Sequence, residues 1–232
     1  MSAALRVGGF VPLTTIDYPD HLACVVFCQG CAWRCGYCHN PELLAAQGAA
    51  ENTWSQVLSF LQQRRGLLDA VVFSGGEATL QNALLPAMQQ VKALGFKVGL
   101  HSAGIKPSAL ARLLPWLDWL GFDLKGPREL IEHITGVNGS AEANWQSLEL
   151  VLASKVAYEI RLTWHPQLIP EFALRGMAQP LAERGVQRLV VQPVRHQQAL
   201  LDSRLPRVLI SEVQRNELSE YFAGQGVVLQ WR

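Results

Sequence analysis

The sequence predicts an α/β protein built on a parallel sheet, and two observations support this. Short apolar runs rich in β-branched and aromatic residues alternate with longer amphipathic segments, which is the pattern of repeated β-α units. Glycine ends several of the helical segments, at Gly66, Gly95 and Gly185. Six such units form an incomplete (βα)6 barrel with outer helices if the sheet curves, and a doubly wound open sheet if it is flat. Periodicity alone leaves both open.

The individual elements follow from the same periodicities. The predicted strands span residues 23–28, 70–74, 97–101, 119–125, 158–164 and 188–193, and 227–231 is a further edge strand. The predicted helices span residues 53–65, 80–94, 107–117, 143–153, 172–184 and 211–223. The stretch 195–206, which contains Gln197, Gln198 and Asp202, is expected to be the most exposed loop.

Composition limits the class of protein. With 232 residues, 49% hydrophobic and 17% charged, the chain is long and apolar enough for a single globular domain over residues 1–232. A net charge of +1 and the absence of a Lys/Arg block argue against nucleic acid or a membrane surface as partner. The N-terminus lacks a secretory pattern, and the apolar run 113–122 is interrupted by Asp118, so we expect a cytoplasmic protein.

Three cysteines follow the first predicted strand in a glycine-containing loop. Cys31, Cys35 and Cys38 have the spacing C-x3-C-x2-C, which lets their thiolates reach one small cofactor. A four-iron cluster normally takes four thiolates, so three leave one iron open. An open coordination position is typical of catalytic rather than structural metal sites. Pro41 and Glu42 favour a helix start just after the loop.

The same spacing recurs in an overlapping frame at Cys24, Cys28 and Cys31. In a strand, however, Cys24 and Cys28 are roughly 13 Å apart, too far for one cluster. We therefore assign the site to Cys31, Cys35 and Cys38 and expect Cys24 and Cys28 to pack as small buried residues.

Two simpler interpretations of the three cysteines are a disulfide and a structural zinc site. Five cysteines, an odd number, without a secretory start make a disulfide unfavourable. Zinc needs a fourth ligand, and His39 is poorly placed beside Cys38, although His21 or a more distant histidine could serve. Zinc stays open as an alternative.

The run CAWRCGYCHN, with the aromatic Tyr37 before the third cysteine, resembles the signature of the radical S-adenosylmethionine (SAM) superfamily. Within it, GCAWRCGYCHNPEL is most similar to the activating proteins of glycyl-radical enzymes, above all those of anaerobic ribonucleoside-triphosphate reductase. The resemblance implies the incomplete barrel. It also implies a [4Fe-4S] cluster on Cys31, Cys35 and Cys38, with SAM on the open iron.

Further motifs fall where the later strands end, and ligands of parallel sheets bind at that edge. Ser74-Gly75-Gly76-Glu77 resembles the family's GGE motif, which implies that Glu77 and the glycine backbone hold the SAM ammonium group. On its own, this motif is more often a plain strand-to-helix turn. The family's usual proline after the Glu is Ala78 here.

The third and fourth strands carry polar residues at the same edge. Ser102 follows the third strand, and His101 stands where relatives commonly carry Asp, which puts in doubt a cation site relying on a carboxylate there. His101 could equally be a satisfied buried imidazole. Asp123 and Lys125 share one strand face and resemble a SAM-contacting DLK motif, although such a pair is more often a solvated ion pair.

The fifth and sixth strands complete the implied cofactor site. The run EIRLTWHP at 159–166 resembles a motif of the reductase activases, and Arg161 in it could bind the cofactor carboxylate bidentately or pair with Glu159. Gln192 stands where relatives place polar residues over the adenosine. The implied cofactor-binding residues are Tyr37, His39, Asn40, Gly75, Gly76, Glu77, Ser102, Asp123, Lys125, Arg161 and Gln192.

The activity implied by the resemblance is reductive cleavage of SAM to a 5′-deoxyadenosyl radical, which takes a hydrogen atom from a glycine of a large partner enzyme. The expected partners are a glycyl-radical enzyme, above all anaerobic ribonucleotide reductase, and a flavodoxin- or ferredoxin-type electron donor. Alternatives are a pyruvate formate-lyase activase, an enzyme similar to 7-carboxy-7-deazaguanine synthase, and a non-catalytic metal-binding interaction module. Trp33, Trp116 and Trp119 are candidates for the docking face, although Trp116 and Trp119 also fit a core.

Overall fold

The computed structural model describes residues 4–48, 52–196 and 200–232. The strands are β1 (Val7–Thr14), β2 (Ala23–Cys28), β3 (Ala70–Gly75), β4 (Lys97–Ser102), β5 (Trp119–Asp123), β6 (Ala157–Trp164), β7 (Arg188–Pro193) and β8 (Val228–Trp231). The helices are α1 (Trp54–Gln63), α2 (Leu84–Ala93), α3 (Pro107–Leu113), α4 (Arg128–Thr135), α5 (Ser140–Leu152), α6 (Glu171–Arg175), α7 (Ala178–Glu183) and α8 (Glu212–Gly224). Short 3-10 turns lie at Pro41–Leu43, Ala78–Leu80 and Leu114–Trp116.

All eight strands form one sheet whose spatial order follows the chain order from β1 to β8. β1 runs antiparallel to β2, and every later neighbour is parallel. A doubly wound sheet reverses its strand order at a switch point, whereas this sheet never reverses. The prediction of an incomplete barrel is therefore confirmed, with two strands more than the six predicted: β8 is the suspected edge strand, and β1 is new.

The two faces of the sheet bury different residues. The inner face carries a small apolar cluster that includes Tyr18, Val25, Val72 and Trp119. The outer face packs against the helices in a large core. Cys24 and Cys28 are fully buried in this outer core, as predicted, because alternate residues of β2 face outward. Their side chains therefore point away from the inner face.

Several predicted boundaries differ from the structure. Strand β1 was missed because its glycines and Pro12 mask any alternation, and α4 was missed between Pro127 and the left-handed Gly136. The helix expected from Pro41 and Glu42 is wrong, since only one 3-10 turn forms there.

Three predicted helices are shorter or divided in the structure. The prediction over 172–184 becomes α6 and α7, separated at Gly176. The one over 80–94 begins as α2 at Leu84, and the one over 107–117 ends in a 3-10 turn at Pro115.

The stretch 195–206 is not simply an exposed loop. Gln197 and Gln198 lie outside the described residues, but beyond them the chain packs on the cysteine loop. The backbone N–H groups of Leu201 and Asp202 donate to the carbonyls of Cys38 (3.1 Å) and Gly36 (2.8 Å). The second half of this stretch therefore covers the cysteine loop. Across the described parts of the chain, we find no helix long and apolar enough to span a membrane.

Candidate functional site

A cavity of about 220 Å³ lies at the carboxyl ends of the strands from β2 to β6. Thirteen of the predicted site residues line it: Cys31, Cys35, Tyr37, Cys38, His39, Asn40, Gly75, Gly76, Glu77, Ser102, Asp123, Lys125 and Arg161. A larger cleft of about 850 Å³ lies at the opposite end of the sheet, around Lys97, Leu117 and Trp119, and is lined by none of these thirteen. The smaller cavity is therefore the candidate site.

Gln192 is the predicted site residue that does not line this cavity. In the sheet register it is the partner of Thr163, which does line the cavity and was missed as a site residue in its own right. Gln192 lies beside Thr163 on β7, one strand farther from the cavity. Its contact with the cofactor adenosine therefore stays a prediction.

The cysteine loop is fixed by bonds to its own backbone and to a helix end. The N–H of Cys38 donates to the carbonyl of Cys35 (2.9 Å), closing a tight turn between two of the thiols. The N–H of Arg34 donates to the carbonyl of Thr135 at the end of α4 (2.7 Å), and its guanidinium donates to the carbonyl of Cys31 (2.7 Å). These bonds fix the shape of the loop.

Two buried amides, which the sequence analysis missed, support the loop from below. The Gln29 side-chain amide donates to the carbonyls of Glu42 (3.0 Å) and Ala45 (2.8 Å). That of Gln81 donates to the carbonyls of Gln29 (3.0 Å) and Arg6 (2.9 Å). Buried polar side chains are normally paired in this way. A glutamine directly after an apolar strand was the one available sequence signal.

Burial favours the protonated form of two of the thiols, Cys31 and Cys35. It raises the pKa of Cys31 to about 11 and also raises the pKa of Cys35. Metal binding must therefore displace protons, as is usual for cysteine ligands. Among residues 4–48, 52–196 and 200–232, no three His, Cys, Asp or Glu side chains lie close enough to hold one ion. A four-iron cluster would take one thiolate on each of three of its irons.

The two glycines after β3 allow close approach of backbone to backbone. Gly75 has a φ of +113°, in the region that favours glycine. A Cβ on Gly76 would lie 2.5 Å from the carbonyl oxygen of Gly30 and 2.8 Å from that of Leu43. Both glycines are therefore needed for the cysteine loop to pack against the end of β3.

Glu77 is almost fully buried, with 2% exposure, and its carboxylate is already well paired. Oε1 accepts from the Thr79 N–H (3.2 Å) and hydroxyl (2.6 Å) and from the Ser102 hydroxyl (2.7 Å), and Oε2 accepts from the Ala103 N–H (3.0 Å). Burial raises the pKa of Glu77, and these donors oppose the rise. The carboxylate thus ties β3 to the end of β4 and keeps acceptor capacity mainly on Oε2.

Asp123 and Arg161 form a partly buried ion pair. The Arg161 Nε and Nη2 lie 3.0 and 2.9 Å from Asp123 Oδ1, and Nη2 also donates to the carbonyl of Gly121 (3.3 Å). Burial alone would raise the pKa of Asp123, but the cations of Arg161 and Lys125 lower it below its usual value. Asp123 is therefore a carboxylate that neutralises the cations around it.

This pairing bears on both interpretations of Arg161. Its Nε and Nη2 face Asp123, and the predicted bidentate contact with a cofactor carboxylate stays a prediction. Glu159, the alternative partner, is paired bidentately with Arg232 at 2.8 and 2.6 Å. Only tertiary structure could assign these partners, since β8 and β6 lie far apart in sequence.

Lys125 keeps donors available for a ligand. Its ammonium lies 3.9 Å from Asp123 Oδ2 and 5.5 Å from the centre of the Tyr37 ring, and its side chain is 13% exposed. Burial would lower the pKa of Lys125, but Tyr37, Asp123 and the nearby thiols together raise it. The Tyr37 hydroxyl is buried and finds no partner among the described residues. An unpaired buried hydroxyl and a cation facing thiols fit a polar ligand in this cavity.

Asn144 is a positioning residue that the sequence analysis missed. It is fully buried on α5, where its Oδ1 accepts from the N–H of Lys125 (2.8 Å). Its Nδ2 donates to the carbonyls of Ala103 (2.7 Å) and Asp123 (3.1 Å). A polar residue on the buried stripe of a helix, in line with Leu148 and Val151, was the signal. Asn144 sets the spacing between the ends of β4 and β5.

Burial contradicts the expected docking role of the tryptophans. Trp33 and Trp119 are buried, and Trp116 is half-buried against the core. Trp33 lines the cavity instead, and Trp119 stacks near Tyr18 and His101 at centroid distances of 5.3 and 5.5 Å. These rings contribute to the interior rather than to a free surface.

His101 is a neutral imidazole at the inner side of the cavity. Its Nε2 lies 2.9 Å from the carbonyl of Asp17, so Nε2 carries the proton and Nδ1 faces the Ser74 hydroxyl at 3.4 Å. Burial and the Arg161 cation lower the pKa of His101 to about 3. The satisfied-imidazole interpretation is thus supported, although the ring still lines the cavity.

This environment predicts a pH-dependent loss of stability. The unfolded His101 side chain binds a proton near pH 6.5 and the folded one only near pH 3, so unfolding is favoured as the pH falls below 6.5. From pH 7 to pH 5 we expect cofactor-free wild-type protein to lose up to about 2 kcal/mol more than the His101→Gln variant, at about 1.4 kcal/mol per pH unit. Urea unfolding at both pH values measures the difference. Equal losses in the two proteins would contradict the assignment.

Comparisons with known proteins agree with this geometry. A family model described as the radical SAM superfamily matches residues 25–166. A protein of Methanocaldococcus jannaschii named as a glycyl-radical enzyme activating enzyme is 27% identical over 186 residues, which are 76% of this chain and 75% of that protein. The pyruvate formate-lyase-activating enzyme of Clostridium pasteurianum is 31% identical over 125 residues, 52% of each chain.

A solved structure supports the same fold. The crystal structure of Streptococcus suis SuiB bound to S-adenosylmethionine aligns with a TM-score of 0.67 at 14% identity over 88% of this chain. The chain spans 48% of SuiB and about half of the Clostridium relative. At that identity the likeness concerns the fold alone.

Proposed function

Because this chain belongs to the radical SAM superfamily, we propose that it is an activase that generates a glycyl radical on a larger partner enzyme. The family's cofactors are a [4Fe-4S] cluster and SAM, and they are the cofactors of this enzyme. The observation that carries the proposal is the convergence of three thiols, a Gly-Gly-Glu turn and the Asp123/Lys125 pair on one cavity.

The cysteine residues are proposed to hold the cluster. Cys31, Cys35 and Cys38 would each bind one iron as thiolates, after losing the protons that burial retains on Cys31 and Cys35. Three ligands leave the fourth iron open to the SAM amino and carboxylate groups. When bound, the reduced cluster supplies the electron that cleaves SAM to methionine and a 5′-deoxyadenosyl radical.

The other cavity residues are proposed to position SAM. Lys125 has N–H donors free for the SAM carboxylate. Arg161 acts indirectly, by neutralising the Asp123 carboxylate. Glu77 Oε2 and the backbone around Gly76 would receive the ammonium group. Tyr37 gains a partner for its hydroxyl, and the apolar side chains of the wall help exclude water from the reacting atoms. The same role as a cofactor contact is proposed for His39, Asn40 and Ser102.

The relatives support a glycyl-radical enzyme as the partner, since two of them are named for that activation. Within that class we propose anaerobic ribonucleotide reductase, on the resemblance of residues 159–166 and of the cysteine motif to its activases. Pyruvate formate-lyase is the second candidate, favoured by the Clostridium relative. We further propose a flavodoxin- or ferredoxin-type electron donor, a single domain over residues 1–232 and a cytoplasmic location. The continuous sheet supports the single domain.

The proposal predicts a radical on the partner. After anaerobic reconstitution with iron and sulfide, the protein is mixed with SAM, dithionite and the catalytic subunit of the anaerobic reductase from the same organism. We expect a glycyl-radical doublet by electron paramagnetic resonance and one methionine per 5′-deoxyadenosine. A doublet on pyruvate formate-lyase and none on the reductase would identify pyruvate formate-lyase as the partner. SAM cleavage without a doublet on either enzyme would refute the activase function.

A further inference from the structure

Three strongly exposed apolar side chains lie outside the cavity and outside the core. Phe172 is 77% exposed, Leu209 81% and Val213 66%, and we call these three residues the apolar rim. Single exposed apolar residues are common on protein surfaces, but a group of them marks an interaction site. The question is therefore whether these three lie together and which part of the molecule they border.

Two helix starts bring the apolar rim together. Phe172 is in the first turn of α6, Val213 is in the first turn of α8, and Leu209 lies three residues before that turn. The Gln214 side-chain amide donates to Glu171 Oε2 at 2.7 Å, which joins the two first turns. The apolar rim therefore surrounds two helix starts that are joined to each other.

The apolar rim lies at the same end of the sheet as the cavity. α6 follows the carboxyl end of β6, and α8 is reached from the carboxyl end of β7. The segment between β7 and α8 contacts the cysteine loop, where the Leu201 N–H donates to the carbonyl of Cys38 (3.1 Å). Farther along, His165 Nε2 lies 2.9 Å from the carbonyl of Pro206. Surface and cavity wall are thus continuous through residues 200–206.

The charges along this approach are mainly positive. Arg195 and Arg207 form no ion pair within the part of the chain that the structure describes, while Arg204 is paired with Asp202 at 2.9 Å. Glu212 adjoins Val213 in sequence, and Glu171, which adjoins Phe172, is paired with Arg175. A complementary surface would be apolar at its centre with carboxylates at its edge.

We propose that the apolar rim is the docking surface for the glycyl-radical enzyme, which meets it with an apolar patch bordered by carboxylates. This inference rests on the proposed function, because the partner must bring a glycine to the cavity and must therefore cover this end of the sheet. Large apolar side chains commonly form the centre of such contacts, surrounded by a polar border. Of the molecules that could cover the apolar rim, the partner enzyme is the one that the proposed reaction requires at this end of the sheet.

The test separates docking from chemistry. The variant Phe172→Ser/Leu209→Ser/Val213→Ser is compared with wild type, both reconstituted, using the anaerobic reductase subunit and, in parallel, pyruvate formate-lyase. We expect 5′-deoxyadenosine formation without partner to stay within about twofold of wild type. The Kd for the partner, measured by sedimentation or fluorescence titration, should rise at least about tenfold. The radical yield at limiting partner should fall by a similar factor.

A matched control uses apolar residues at the opposite end of the sheet. Leu13, Ile16 and Val228 are 58%, 78% and 57% exposed, and their triple Ser variant should bind the partner as wild type does. Wild-type affinity in the rim variant, or an equal loss in the control, would overturn the inference. The inference would also be overturned if wild type formed a dimer that the rim variant did not form, while both proteins bound the partner with the same affinity. If wild type binds the partner but forms no radical, the proposed function is refuted. The Kd values of wild type and the rim variant still test the docking surface in that case.

Discussion

Cys35→Ala is expected to abolish SAM cleavage, with 5′-deoxyadenosine falling at least about a thousandfold and no brown cluster retained after reconstitution. Cys35 is the middle thiol of the loop and is buried beside the Cys38 turn. With only two thiolates left, the cluster loses one of its three protein ligands. Iron content, visible absorbance and product formation measure the effect.

The chain supplies its own control for a lost thiol. Cys24 and Cys28 are fully buried free cysteines on the outer face of β2, where they pack as apolar residues. Burial raises the pKa of Cys24 to about 12, and both thiols stay protonated. Cys24→Ala should therefore retain the cluster and the product. A Cys35→Ala protein that still binds four irons and cleaves SAM would refute the assignment of the ligands.

Gly75→Ala is expected to destabilise the protein by about 2–5 kcal/mol and to empty the site of cofactor. Part of the cost is backbone strain, because φ is +113° at this position. The rest is overpacking, since the new methyl group would collide with the backbone of Cys28 and with the carbonyl carbon of Phe27, 2.9 Å away. The end of β3 must then move away from the strand that leads into the cysteine loop. Urea unfolding and iron binding after reconstitution measure both effects.

Gly95→Ala is the matched control for backbone strain. Its φ of +92° is also in the left-handed region, but no atom lies within 4 Å of a Cβ built there. We expect a loss of about 1 kcal/mol and normal iron binding. If Gly75→Ala were no more destabilising than Gly95→Ala, Gly75 would not be required for the close packing of β3 against β2.

The strands were predicted well because each is a short apolar run with its own flanking signals. β2 and β7 begin and end where predicted, and the glycines after the helices adopt the positive φ that their positions suggested. β1 was missed because Gly8, Gly9 and Pro12 remove the alternation by which strands are recognised. It becomes a strand by pairing with β2, a contact that no local pattern records.

Site chemistry was predicted where neighbours in sequence create it and was corrected where distant residues do. The cysteine loop, Gly75-Gly76 and Lys125 reach one cavity because each follows a strand at the same edge. The partner of Arg161 was undetermined, because Asp123 is 38 residues away and Glu159 is taken by β8. Likewise, two of the four donors to Glu77, from Ser102 and Ala103, come from the end of β4.

The sequence by itself indicated the kind of cofactor, through the resemblance of its cysteine motif to a known family, and the edge of the sheet that holds it, because strand periodicity is a local property of the chain. Tertiary structure decided between the partial barrel and the open sheet, which periodicity left open, and it showed that Thr163 lines the cavity and that the apolar rim lies beside it. The physical reason is that strand order, ion-pair partners and surface patches are set by packing between segments far apart in sequence. Hydrophobic periodicity specifies which face of a segment is buried, and it leaves open what that face is buried against.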